Sequence, residues 1–74
     1  MRLSELQTKM VINTNDGRHL GIIGDAEVTS TGQIKFFSVM PKKFFRRLFK
    51  NETEVNVTFE QIVKIGEDVI LVDL

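Results

Sequence analysis

Turn signals recur so closely along this chain that little between them exceeds the length of a short strand. Asn15-Asp16-Gly17, Thr31-Gly32 and Gly66-Glu67-Asp68 punctuate 74 residues. Asp-Gly between apolar runs favours a hairpin, because glycine takes positive φ at no steric cost. Before the first turn, Met10-Val11-Ile12 is a candidate strand. After it, residues 20–29 place Leu20, Ile22, Ala26 and Val28 at even spacing on one face, with Gly21 and Gly24 marking a bulge or sharp bend. Residues 33–40 form a third strand, with Ile34 and Phe36 on one face, and Phe37 and Val39 on the other. Pro41 ends it for want of an N–H.

Glu54-Val55-Asn56-Val57-Thr58 alternates polar and apolar residues, as a half-buried strand does. Phe59-Glu60-Gln61 reads as a tight helical turn leading into Ile62-Val63-Lys64-Ile65. Residues 69–73 make the last strand. About six short strands at such spacing predict an all-β domain, a small six-stranded barrel that is closed or nearly so, since closure removes exposed edges. The length allows one domain over residues 1–74. A chain this short buries only about 60% of its unfolded surface, and with no cysteine it has no disulfide to help. Its 42% hydrophobic content must suffice, or a second copy must complete the core.

The formal net charge of zero conceals a polarised chain. Lys42, Lys43, Phe44, Phe45, Arg46, Arg47, Leu48, Phe49 and Lys50 hold five of the ten basic residues and three of the six phenylalanines. The segment carries +5 and the other 65 residues balance at −5. On a helix, Phe44, Phe45, Leu48 and Phe49 make one apolar stripe and the five cations share the opposite side. Pro41 suits the first turn of such a helix and Asn51 its stop. The bland reading is an apolar stripe packed on the barrel under solvated cations. The functional reading makes Lys42, Lys43, Phe44, Phe45, Arg46, Arg47, Phe49 and Lys50 a partner-binding surface. An acidic protein is the first candidate partner, an anionic membrane the second and RNA the third.

No constellation points to catalysis, a metal or a cofactor. His19 near Asp16 and Asp25 reads as an exposed imidazole at a strand start. Ser4, Ser30 and Ser38 have no histidine nearby in sequence to activate them. Gly21-Ile22-Ile23-Gly24 lacks the Gly-Lys-Ser/Thr of a phosphate loop. Glu67, Asp68 and Asp73 lack the spacing of a calcium loop. The opening residues read as the start of the mature fold, and the longest apolar run, Val69-Ile70-Leu71-Val72, is far too short to span a membrane. Absence of cysteine fits a reducing compartment, so a cytoplasmic location is expected.

Val11-Ile12-Asn13 running into Asn15-Asp16-Gly17, then Leu20-Gly21-Ile22-Ile23-Gly24-Asp25, resembles the opening of the PRC-barrel family. Thr31-Gly32-Gln33-Ile34 sits where that family has its second hairpin, and residues 59–72 resemble its closing strands. With Met1-Arg2-Leu3-Ser4-Glu5-Leu6 at the start, the likeness extends to the family's short, single-domain sporulation members. Val57-Thr58-Phe59 departs from an Ile-Pro-Trp-like phrase common among them. The resemblance implies a six-stranded barrel used for docking. The family's reaction-centre H subunit and ribosome-maturation members serve assembly rather than catalysis, which is an analogy of fold.

The expectation is therefore a non-catalytic binding or scaffolding module in a sporulation-related role, acting through protein–protein contacts. An RNA- or ribosome-associated assembly factor, or a peripheral membrane binder, is the alternative. Self-association as a homodimer is expected as well. Zero net charge offers no repulsion, and apolar groups on both faces of the strand with Ile34, Phe36, Phe37 and Val39 cannot all fit inside so small a barrel.

Overall fold

Two strands from opposite ends of the sequence lie side by side in the interior of the sheet. In the computed structural model, which describes residues 1–41 and 55–74, β1 (Met10–Asn13) runs parallel to β6 (Val69–Val72). Their register sets Met10 beside Val69 and Asn13 beside Val72. On its other side β1 pairs antiparallel with β2 (His19–Val28), which pairs with β3 (Ile34–Met40), which pairs with β4 (Val55–Val57). Beyond β6 lies β5 (Ile62–Ile65), so the order is β4-β3-β2-β1-β6-β5. The expected helix over residues 42–50 lies outside the described residues.

The six expected strands are present, and Phe59–Gln61 forms the expected tight turn as a 3-10 helix. Gln61 caps that turn, its Oε1 accepting the Thr58 backbone N–H at 2.9 Å. A short helix α1 (Leu3–Leu6) stands where no helix is read from sequence. Four residues are too few to show an apolar period.

The ladder stays open between β4 and β5 among the described residues, so full closure is not found. These strands are consecutive, joined through Thr58 and the 3-10 turn, and the turn carries the chain across the gap where a ladder would otherwise run. The sheet nevertheless curls on itself. Val57 from β4 and Ile62 from β5 line one small apolar void with Val11, Ile23, Phe37, Val39, Ile70 and Val72. At about 10 Å³ and without polar lining, the void offers a water no partner and stays dry.

Irregularities of register decide which side chains enter this core. Even spacing assigns Leu20, Ile22, Ala26 and Val28 to one face of β2; Leu20 and Ala26 do pack against the core, yet Ile23 is the strand's buried apolar side chain and Val28 is 57% exposed. The register shifts between Ile23 and Asp25, so Gly24 drops out of the pairing and Ile23 and Ala26 both reach the core. A second shift leaves Lys35 unpaired between Ile34 and Phe36. Ile34 therefore packs against the core with Phe37 and Val39, whereas Phe36 lines a groove on the outside. The expected pairing of Ile34 with Phe36 on one face is corrected by that bulge.

Hydrogen bonds at both ends lock the β1–β6 pair. At the start, Met10 N–H donates to Asp68 O at 3.0 Å. Beside it the buried Lys9 Nζ donates to the carbonyl oxygens of Gly66 (2.8 Å) and Glu67 (2.5 Å), fastening the first strand to the last hairpin. At the far end Thr14 N–H and Oγ1 both donate to Val72 O. Asn15 Nδ2 donates to Asp73 Oδ1 and Leu74 O, and the buried Asn13 Oδ1 accepts the N–H groups of Asn15 and Leu74. The Asn-Asp-Gly turn thus shapes a hairpin and also clasps the C-terminal residues.

Two glycines separate a turn requirement from a packing requirement. Gly17 has φ 71° with open space around it. Gly21 has φ 131°, and a Cβ there would lie 2.0 Å from the Met40 carbonyl oxygen. Gly17→Ala should cost about 1–2 kcal/mol in denaturant unfolding. Gly21→Ala should cost clearly more, because conformational strain of about 1–3 kcal/mol adds to displacing backbone of the paired strand. Lys9→Met should lose about 1.5–3 kcal/mol, and the exposed Lys35→Gln less than about 0.5 kcal/mol. Equal costs at Lys9 and Lys35 would mean that the ammonium contributes nothing to the hairpin.

Candidate interaction surfaces

Strand β5 is one end of the ladder, and two of its exposed side chains are apolar. Val63 is 61% exposed, and Ile65 is exposed beside it, with Lys64 between them. The register shift between Ile62 and Lys64 leaves Val63 out of the pairing with β6. A bulge of this kind twists an edge away from further ladder addition, as does a lysine. Contact at β5 is thus a matter of side chains more than of backbone pairing.

Phe59, on the 3-10 turn just before β5, is 53% exposed. Its ring meets the buried Phe37 edge-on, with centroids 5.2 Å apart and planes at 83°. One side of Phe59 therefore rests on the core while the other faces out. Phe59, Val63 and Ile65 fall within seven residues of chain, on the turn and the terminal strand.

A different surface lies on the outside of β2, β3 and β4. Cross-strand pairing aligns Asp25, Ser38 and Asn56 in one row, with Glu27 and Phe36 paired two positions along. These residues and Ala26 line an open groove of about 280 Å³. Asp25 Oδ1 accepts the Ala26 N–H at 2.8 Å, and neither Asp25 nor Glu27 has a cation partner among the described residues. Ser38 is only 7% exposed.

The residues singled out from sequence are not all placed. Lys42, Lys43, Phe44, Phe45, Arg46, Arg47, Phe49 and Lys50 lie outside the described residues. His19 opens β2 as an exposed side chain, and Asp16 is engaged in its own turn, where Oδ1 accepts the Arg18 N–H at 2.9 Å. Asp73 is drawn to Asn15, so it does not join Glu67 and Asp68 in a cluster. The outer groove went unrecognised in the sequence. Its signal was Ser38, a polar residue inside the apolar run Phe36-Phe37-Ser38-Val39.

A curled six-stranded sheet built from these turns is the frame of a known family, and the family model for the PRC-barrel domain matches residues 1–74. The chain belongs to the PRC-barrel family. It is 41% identical over 73 residues to the probable sporulation protein YlmC of Bacillus subtilis, an alignment covering 97% of this chain and 90% of YlmC. It is 35% identical over 77 aligned positions to YmxH of the same organism, covering 100% of this chain and 89% of YmxH. Both relatives are thus matched nearly end to end. Among the described residues, no helix of this PRC-barrel protein is long and apolar enough to cross a membrane.

The two rings of the aromatic pair should respond differently to truncation. Phe37→Ala removes a fully buried ring and should cost about 3–5 kcal/mol of stability. Phe59→Ala loses little more than an edge-on contact, worth about 0.5–1.5 kcal/mol. Chemical denaturation of both variants checks this, and equal losses would place Phe59 in the core.

Proposed function

We propose that this PRC-barrel protein is a non-catalytic binding or scaffolding module in a sporulation-related role, acting through protein–protein contacts. The observation that carries the reading is the apolar surface at the end of the sheet. Phe59, Val63 and Ile65 are three of the seven large apolar side chains exposed among the described residues, and they fall within seven residues of chain. Exposed apolar groups gathered near one edge favour association. The name of YlmC and its near full-length match supply the sporulation setting.

Self-association through this edge is part of the proposal. A twofold dimer would set β5 against β5, placing Val63 and Ile65 of one copy on those of the other. Of the residues behind the expected interface on β3, Ile34, Phe37 and Val39 pack in the core and Phe36 alone faces outward. The basic segment, residues 42–50, is proposed as a second contact surface for an acidic protein on the strength of its sequence. Its aromatic and basic composition keeps RNA as the alternative, and salt dependence separates the two. Contacts to several phosphates weaken steeply as salt rises, whereas an apolar interface does not.

Sedimentation equilibrium should give twice the 8.5 kDa chain mass. Val63→Glu with Ile65→Glu should return the monomer with its fold intact by circular dichroism. A parent that stays monomeric at high concentration would overturn the dimer, and a dimer indifferent to both substitutions would move the interface away from β5. Arg46→Glu with Arg47→Glu should abolish capture of an acidic partner while costing less than about 0.5 kcal/mol of stability.

A further inference from the structure

The groove outside β2, β3 and β4 has the chemistry of a receptor for an arginine side chain. Its walls offer two carboxylates, Asp25 and Glu27, neither neutralised by a cation among the described residues. Ser38 supplies a second and independent feature. The residue is 93% removed from solvent and lines the groove, yet its hydroxyl has no hydrogen-bond partner among the described residues. No buried side-chain polar atom is left unpartnered among the described residues, so this hydroxyl opens onto the groove, where a ligand could take the place of solvent. Asn56 adds an amide oxygen in the same cross-strand row, and Phe36 adds an aromatic wall.

These groups suit a guanidinium better than an ammonium. A guanidinium presents five N–H donors in a planar fork that fits carboxylates and stacks on a ring, whereas an ammonium is a compact point charge. Asp25 already uses one oxygen on the Ala26 N–H, which fixes its carboxylate in place. The volume, about 280 Å³, falls just below that of ligand clefts, roughly 300–1,000 Å³. That is room for one side chain.

We propose that the Asp25–Ser38–Asn56 groove binds an arginine from a basic segment of a protein partner. The inference deepens the reading of this chain as a binding module by naming the partner's chemistry. It does not depend on the dimer, because the groove and β5 are at different places in the sheet order.

The test measures fluorescence anisotropy of a labelled arginine–serine repeat peptide, with its lysine–serine counterpart alongside. The parent should bind the arginine peptide several-fold tighter than the lysine peptide. Asp25→Asn with Glu27→Gln should weaken it by about tenfold. Glu60→Gln with Glu67→Gln removes the same charge elsewhere and should change it less than about twofold. Phe36→Leu should erase the preference for arginine. Equal weakening by the two charge-matched pairs would overturn the site in favour of net charge alone, and so would equal binding of the two peptides. Free arginine binding as tightly as the peptide would overturn the assignment to a protein segment. A dimer dissolved by Asp25→Asn with Glu27→Gln would replace the foreign partner with a second copy. Failure of the peptide to bind while the parent still dimerises through β5 would sink this inference and leave the binding-module reading standing.

Discussion

The parallel pairing of β1 with β6 is the contact on which the rest of the fold depends. All other strand pairs among the described residues are antiparallel, and this pair joins the β1–β4 part of the sheet to the β5–β6 part. Without it, β1-β2-β3-β4 and β5-β6 would be separate sheets, the first with five of the seven core residues and the second with two. The pair carries Val11, Ile70 and Val72, three of the buried residues, into the common centre. Joining residue 10 to residue 69 costs loop-closure entropy, which grows slowly with length. The Lys9 bonds and the Asn13–Asn15 clasp offset that cost at the two ends of the strand.

Placing the last strand inside the sheet also determines where the surfaces for contact fall. Strand β6 is covered on both flanks, so β5 is pushed to the end of the ladder with Val63 and Ile65 outward. At the opposite end, β2 and β3 are long relative to β4, and their outer row forms the acidic groove. The bulge at Lys35 keeps Phe36 in that groove while Ile34 turns inward. One irregularity in pairing thereby assigns one apolar residue to the core and its near neighbour to the surface.

Much of the fold was legible in the residues. The turn signals at Asp16-Gly17, Thr31-Gly32 and residues 66–68 fall between observed strands, and Phe59-Glu60-Gln61 forms the turn expected of it. The faces of β2 and β3 were less legible, since strict alternation holds only between bulges and says nothing about which residue drops out. Gly21 and Gly24 signalled an irregularity without giving its phase. The parallel β1–β6 contact had no local signal at all, because pairing across about sixty residues depends on the whole core. The groove was hidden for a similar reason. Asp25, Ser38 and Asn56 are scattered in sequence and become neighbours only through register.

Native-state hydrogen exchange tests the central claim most directly, because it reports the opening free energy of each backbone N–H. If the β1–β6 pair holds the sheet together, the amides of Met10 and Thr14 should exchange only on global unfolding. Amides of β4 and β5, at the open ends of the ladder, should exchange through smaller local openings. Protection in β4 and β5 equal to that in β1 would contradict the account, because it would mean a ladder closed all round with no end strands and no special role for the β1–β6 pair.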